Sequence, residues 1–433
     1  MGRKRHHKPL RVLFDNRLLG HLSKETSGAI EFRYDQEWLD QNGATPVSLS
    51  LPLRKDSYKG APVAAVFENL LPDSDLLRKR VAEKVGASGT DAYSLLSEIG
   101  RDCVGALQFV PYDDQSVHDT SRIDGEPVSD AEIESLLNNL AQTPLGLSQD
   151  QDFRISVAGA QEKTALLFHE GKWLKPRGTT PTTHIFKTQI GTLPGGLDLS
   201  NSVENEYYCL RLLAAFGLRV NNAQIKVFGN TKALVIERFD RAWTKDGRLL
   251  RKPMEDCCQA LSVPPTRKYQ NEGGPGMAEI LDLLKSGDSP AADQKTFLKA
   301  QILFWLMGAT DGHAKNFSIF LGPEGRFRMT PIYDVLSAQP SVDAKQLHSK
   351  KMKMAMFVGD NRHYVIDRIQ GRHFIQTAER AALPAAIAEE ALQEIKENAE
   401  SAMTAMEKEL TSGVPEAIHE SVLNGLKSRL SAL

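Results

Sequence analysis

Cysteine is scarce in this chain: Cys103, Cys209, Cys257 and Cys258 are the only four in 433 residues. Their spacing matches no zinc motif, and neighbouring cysteines seldom bridge each other, so neither a zinc site nor a disulfide framework is expected. Such usage implies a reducing cytoplasm. Charge of one sign is also lacking. Lys and Arg total 53 against 55 Asp and Glu, a net of −2, so no global basic field exists to hold nucleic acid unaided. DNA contact would need a basic partner or a local patch such as His348–Lys353, and charge runs of that kind are usually solvated faces. The strongest apolar run, Ile302–Met307, is too short to span a bilayer, so no membrane association is expected. The basic stretch Met1–Phe14 is followed by no apolar segment of signal-peptide length, and His6 stands where a myristoylation signal needs Ser or Thr. Internal repeats and long low-complexity tracts are missing as well.

Hydrophobic residues make up 41% and charged residues 25%, the balance of a globular protein. The length exceeds the usual span of one core, so two or three domains are expected. Residues 11–53 read as β, with a turn at Asp15-Asn16-Arg17 and alternation at Ile30, Phe32 and Tyr34. Residues 62–85 read as helix and 104–111 as strand. Beyond a polar stretch and a short helix near 130–141, strands are expected at 153–157, 164–169 and 184–188. A helix follows at 202–216, ending at Gly217, then strands near 223–229 and 232–240. From about 293 the pattern is helical, with a strongly apolar helix through Phe297, Trp305 and Met307. This gives a division into 1–150, 151–292 and 293–433.

The sequence Asp311-Gly-His-Ala-Lys-Asn316, followed by Tyr333-Asp334, carries the clearest chemistry. An Asp, an Asn five residues on and a second Asp eighteen residues later suit phosphoryl transfer from Mg-ATP. Asp311 would take or orient the proton of an attacking hydroxyl. Asn316 and Asp334 would hold the ion, since magnesium prefers oxygen ligands. Short strands at 317–320 and 327–330 would form a hairpin that brings the two together. Taken singly, DGHAKN also reads as an ordinary turn with a capping Asn. A hydrolase using Asp311, His313 and Asp334 around a metal is a further reading, though one His is thin for zinc.

Lys187 closes the strand His184–Lys187, where a kinase places the lysine that meets the α- and β-phosphates and pairs with a helix glutamate. Glu204 and Glu206 follow. Glu206 shares the inward face of Leu210 and Leu213 and is the preferred partner. Ser156-Val-Ala-Gly-Ala-Gln-Glu-Lys163 has small residues at 158–160 that let backbone N–H groups approach a polyphosphate, or form a plain hairpin turn. Glu237-Arg-Phe239 would lie where a connecting segment meets adenine, with Phe239 as an apolar wall. Gly273-Gly-Pro-Gly276 reads as a mobile loop without a role.

These motifs, together with SLSLPL at 48–53, FENLLPDS at 67–74, LLSEIGRDCVGA at 95–106, DFRISVAGAQEKTALL at 152–167, NEYYCL at 205–210 and ERFDR at 237–241, run nearly end to end. The chain so resembles the HipA family, the serine/threonine kinases of bacterial HipBA toxin–antitoxin modules. The resemblance implies an α+β fold, two-lobed and protein-kinase-like, with an extra β-rich N-terminal subdomain and a mainly helical C-lobe. It implies an ATP site of Val157, Ala158, Gly159, Ala160, Gln161, Glu162 and Lys163, then Lys187, then Glu237, Arg238 and Phe239, then His313, Ala314, Lys315 and Asn316, then Tyr333 and Asp334.

By the same resemblance Asp311 is the catalytic Asp, Asn316 and Asp334 hold Mg2+, and Ser156 is the autophosphorylated serine. Its modification expels the loop, a dianionic group beside a phosphate cradle competing with ATP by repulsion. The implied partners are a dimeric HipB-like helix-turn-helix antitoxin, operator DNA through the complex, and glutamyl-tRNA synthetase as the protein substrate. A catalytically idle DNA-binding corepressor and a small-molecule phosphotransferase are the alternatives. Asp311 is preceded by Ala309-Thr310 rather than His-Arg, and Asp334 is followed by Val335-Leu336 rather than Phe-Gly, so this is no ordinary protein kinase.

Overall fold

Residues 7–114, 123–147, 153–159 and 161–433 are described by the structure, a computed structural model. The chain begins with the hairpin Leu10–Phe14 and Arg17–Lys24, turned by Asp15 and Asn16, both at positive φ (44° and 69°). Asp and Asn tolerate that region better than most side chains, and such a turn matches the strand twist. The five-stranded sheet runs Tyr58–Lys59, Ile30–Tyr34, Arg17–Lys24, Leu10–Phe14, Leu107–Pro111, and its neighbouring strands pair antiparallel. Leu19, Leu22 and Phe32 bury one face against helices that carry Val66, Phe67, Leu95 and Leu96.

The single helix expected over 62–85 is two helices, Ala61–Glu68 and Asp75–Val85. Pro72 lacks an N–H and disfavours helical backbone just before it, and Ser74 caps the second helix, its Oγ accepting from Leu77 N–H. The expected strand at 153–157 joins no ladder. Its alternation is real, however: Phe153, Ile155 and Val157 are buried in the core of the N-terminal sheet.

The second sheet has six strands in the order Ala223–Phe228, Thr231–Glu237, His184–Thr188, Lys163–His169, Lys172–Pro176, Gly125–Pro127, antiparallel throughout. Helix Ser202–Ala215 packs on it and ends at Phe216, followed by Gly217 at φ 82°. Two stretches pack across the divisions read from sequence. Strand Gly125–Pro127 and helix Asp130–Asn138 join the six-stranded sheet, while Met277, Ile280 and Leu281 join the helical core.

That helical core is built on Pro290–Met307, whose Phe297, Trp305 and Met307 are all fully buried, with Ala385–Glu407 and Glu416–Leu430 packed against it. A three-stranded sheet of Met254–Asp256, Ser318–Leu321 and Phe327–Met329 lies beside it. The central helix stops at Gly308, at φ 72°, whose N–H reaches back to Phe304 and Trp305 carbonyls. This left-handed stop turns the chain straight into residues 309–316. The architecture is α+β, with two kinase-like lobes and a β-rich N-terminal subdomain.

Candidate active site

A cavity of about 670 Å3 lies between the six-stranded sheet and the helical lobe. Lys187, from the central strand, is buried there. Its Nζ donates to Glu206 Oε1 at 2.7 Å and Oε2 at 3.0 Å, and to Asp334 Oδ1 at 2.6 Å. Glu206 is therefore the partner, as its helix face predicts; Glu204 pairs instead with Lys232. Burial alone would lower the Lys187 pKa, but the Asp334 and Glu206 carboxylates outweigh it and raise it. The same contact holds Asp334 well below the usual carboxylate range: burial pushes it up, and Lys187 with Lys163 overcomes that. Asp334 has a positive φ of 57°, a backbone state that side chains rarely adopt and that clusters at functional sites.

Asn316 donates its Nδ2 to the Asp311 carbonyl at 2.7 Å, which leaves its Oδ1 as the atom available to a cation. Tyr333 ties the two metal candidates together. Its hydroxyl donates to the Lys315 carbonyl at 3.0 Å and lies 2.6 Å from Ser318 Oγ. The residues just before Asn316 and just before Asp334 are thus joined, and both side chains line the same cavity. Two oxygen donors of this kind fit magnesium, which keeps waters and phosphate oxygens as its other ligands. Among the described residues no group of three or more His, Cys, Asp and Glu side chains is placed to hold a metal, which gives the hydrolase reading no support.

The described residues of the small-residue loop, 157–159 and 161–163, line the same cavity. Gly159 has φ 108°, and a Cβ there would lie 2.6 Å from Lys163 Nζ. The backbone conformation there favours glycine, and any side chain would also have to displace the Lys163 ammonium. Lys163 donates to the Ala158 carbonyl at 2.9 Å, and burial, with Lys187 next, lowers its pKa to about 8. Gln161 donates to the Thr188 carbonyl at 2.7 Å, and Glu162 faces Arg80 at 3.3 Å. Val157 is anchored in the N-terminal core. Ala160 lies outside the described residues. Ser156 is fully buried, its Oγ donating to the Leu70 carbonyl at 2.8 Å.

The Glu237–Phe239 segment divides three ways. Phe239 lines the cavity and packs 5.8 Å from the Tyr333 ring, as an apolar wall would. Glu237 is exposed, is not among the cavity's lining residues, and accepts from Asn222 at 2.8 Å. Arg238 borders the cavity, but its guanidinium is held in a buried cluster with Asp102 and Asp240, at 3.1 and 2.8 Å. Residue types alone do not reveal which way a guanidinium turns. Ala314 is buried in the helical core and is not among the lining residues.

Two residues at the site are given no role by the sequence reading, although one of them, Asp73, lies inside the motif FENLLPDS. Tyr269 donates its hydroxyl to Asp311 Oδ1 at 2.5 Å, and its ring meets His313 edge-on at 4.8 Å. Asp311 is otherwise open, its side chain 55% exposed. His313 is buried, and burial lowers its pKa. Tyr269 is positioned by the glycine-rich loop read as mobile. That loop is packed: a Cβ on Gly274 would lie 2.0 Å from the Arg267 carbonyl, and Gly274 N–H bonds the Tyr269 carbonyl at 2.9 Å. The second residue is Asp73, from the N-terminal subdomain, ion-paired to Lys315 and to Lys268.

Fold and cleft together are those of the kinase-like class. The HipA-like C-terminal domain family matches residues 155–403, and the HipA N-terminal domain family matches residues 10–110. Y4mE of Sinorhizobium fredii, a kinase by name, is 36% identical over 353 residues, 81% of this chain and 80% of the relative. The serine/threonine-protein kinase toxin HipA of Shewanella oneidensis is 29% identical over 356 residues, 79% of this chain and 77% of the relative. The HipA structure from the Shewanella oneidensis MR-1 complex of HipA, HipB and operator DNA superposes with a TM-score of 0.80 at 24% identity, covering 98% of this chain and 97% of that one. The chain belongs to the HipA family, and the relatives named above carry the name kinase.

Proposed function

We propose that this protein is a Mg-ATP-dependent serine/threonine-protein kinase and the toxin of a type II toxin–antitoxin pair. The observation that carries the reading is Lys187 bridging Glu206 and Asp334 in the cleft that Asp311 and Asn316 also line. Asp311 accepts the proton of a substrate hydroxyl as its oxygen bonds to the γ-phosphorus. The bond from that phosphorus to the β–γ bridging oxygen breaks, and ADP leaves. Lys187 and Lys163 orient the phosphates, Phe239 and Tyr333 wall the base, and Asn316 Oδ1 with the Asp334 carboxylate would hold magnesium. That ion, when bound, neutralises charge on the phosphate oxygens. The Tyr269 hydroxyl on Asp311 must yield to or share with the acceptor.

The finer expectations extend this reading. The substrate is a translation component, glutamyl-tRNA synthetase, and its modification arrests growth. Ser156 is the autophosphorylation site, and its burial means the loop must leave its seat first. A HipB-like helix-turn-helix antitoxin dimer binds the kinase, and the pair represses its own operon on operator DNA, in the bacterial cytoplasm and on the nucleoid. The near-zero net charge of this chain accords with an antitoxin that makes most DNA contacts. Among the described residues no helix is long and apolar enough to cross a membrane.

The test is incubation of the intact chain with labelled ATP and magnesium, with and without added glutamyl-tRNA synthetase. Label on Ser156 and on the synthetase is expected, and none with Asp311→Gln. No incorporation into either protein by the intact chain would overturn the kinase reading. Label on Ser156 alone would remove only the substrate.

A further inference from the structure

The motif FENLLPDS, at 67–74, belongs to the N-terminal subdomain and has no part in the phosphoryl-transfer apparatus described above. Yet its end reaches the catalytic cleft. Asp73 Oδ1 is ion-paired to Lys315 Nζ, and Asp73 Oδ2 lies 2.7 Å from Lys268 Nζ. These lysines sit on the two segments that carry and contact the catalytic carboxylate. Lys315 is four residues after Asp311 on the same loop, and Lys268 immediately precedes Tyr269, whose hydroxyl bonds Asp311. The backbone of the same motif holds the nucleotide loop. Asp73 N–H donates to the Gly159 carbonyl at 3.2 Å, Pro72 bridges Gly159, and the Leu70 carbonyl accepts from Ser156. One short segment therefore touches the loop over the phosphates, the loop carrying Asp311, and the segment capping Asp311.

The segment is itself rigidly set. Leu70 and Leu71 are buried, Asn69 Nδ2 donates to the Ala65 and Val263 carbonyls at 2.7 and 2.9 Å, and Ser74 caps the following helix. Only 10% of the Asp73 side chain is exposed, so its charge acts on its two partners with little screening by water. Lys315 is buried more fully still, at 5% exposure. Without Asp73 two ammonium groups would share a confined space with no anion between them. Asp256, whose buried carboxyl already feels Lys315, and the cavity's other anionic groups, Asp311, Asp334 and any bound phosphate, would then compete for them.

We propose that Asp73 is a positioning residue for phosphoryl transfer. It holds Lys315 and Lys268 off the catalytic carboxylates and keeps the nucleotide loop in register with the Asp311 loop, so the N-terminal subdomain completes the active site. This rests on the kinase reading. The test uses the full-length chain and compares intact protein, Asp73→Asn and Asp73→Glu. It measures kcat and KM for ATP, affinity for a non-hydrolysable ATP analogue, and thermal midpoint.

A displaced reacting group costs about 10²-fold in rate, so kcat should fall by about that factor in Asp73→Asn. Analogue affinity should change far less, and Asp73→Glu, which keeps the charge, should recover part of the loss. A purely structural role would instead lower the thermal midpoint and the active fraction while leaving kcat per folded molecule unchanged. That result, or equal kcat in Asp73→Asn, overturns the proposal. Should Asp73→Asn fail to fold, Asp73→Asn/Lys268→Met removes one of the two unpaired ammonium groups and carries the same readout. Absence of transfer by the intact chain would overturn the kinase reading as well. Transfer by the intact chain, undiminished in the variants, overturns only the role of Asp73.

Discussion

Lys187 Nζ lies 2.6 Å from Asp334 Oδ1, so a strand of the small lobe and the turn leaving the large lobe's hairpin meet in one ion pair. The pair links the two lobes across the cavity that both residues line. Replacing Lys187 by Met should leave both Glu206 and Asp334 without their cation. Glu206 is then unpaired in the interior and Asp334 loses its direct cation partner, so transfer should fall by about 10²–10³-fold. Nucleotide affinity should fall too. Steady-state transfer and analogue binding measured side by side check this, and unchanged transfer would remove Lys187 from the account.

Ser156 donates to the Leu70 carbonyl from a fully buried position. Ser156→Ala loses one hydrogen bond, worth about 1 kcal/mol, and should keep nucleotide binding. Ser156→Asp sets a carboxylate against that carbonyl and should drive the loop from its seat. Binding of a fluorescent ATP analogue should drop at least about tenfold in Ser156→Asp, a loss of about 1.4 kcal/mol. Limited proteolysis near residues 153–163 should quicken in parallel.

Lys163 supplies a pH signature. Burial and Lys187 depress its pKa to about 8, against the pull of Asp334, Glu206 and Asp73. The folded protein therefore holds this proton less tightly than the unfolded chain does. The resulting penalty is present in full below pH 8, falls as pH rises from about 8, and is gone only above the ordinary lysine value of 10.5. A bound polyphosphate would restore the charge. Nucleotide binding at about pH 8.5 should then take up a fraction of a proton, read by calorimetry in buffers of differing ionisation enthalpy. Lys163→Met should abolish the uptake, and proton release by the intact protein would contradict the assignment.

Much of this site is legible in the sequence, and what escapes has a physical reason. The Lys187–Glu206 pairing follows from a strand end and a helix face, both set by local periodicity. Asp334 follows from a hairpin, again local. Asp73 and Tyr269 could not be read because they arrive from packing between segments far apart in the chain: Asp73 meets Lys315 across 242 positions and Tyr269 meets Asp311 across 42. The helix expected over 62–85 fails at Pro72, and that interruption is what carries Asp73 to the cleft. The Glu237–Phe239 segment reads as an adenine contact, but the Arg238 guanidinium belongs to a buried charge cluster with Asp102 and Asp240.

That cluster yields a separating experiment. Arg238 contacts Asp102, Asp240, Thr182 and the Cys103 carbonyl, with 2% of its side chain exposed. Arg238→Ala leaves Asp102 and Asp240 with fewer partners, and breaking a buried pair from one side costs about 3–5 kcal/mol. Chemical denaturation should show that loss. Analogue affinity in the remaining folded protein should change little, since the guanidinium is engaged away from the nucleotide. A large affinity loss with no change in stability would return Arg238 to the ATP site.

The most direct measurement is single-turnover phosphoryl transfer from Mg-ATP by the intact chain, Asp311→Gln and Asp334→Asn, each first shown to be folded. Loss of a positioned general base lowers rates by about 10²–10⁴-fold, and the account predicts a fall of that size in Asp311→Gln. Asp334→Asn should show a steep rise in the magnesium concentration needed for half-maximal rate. Equal transfer by all three proteins, with the same magnesium dependence, would contradict it.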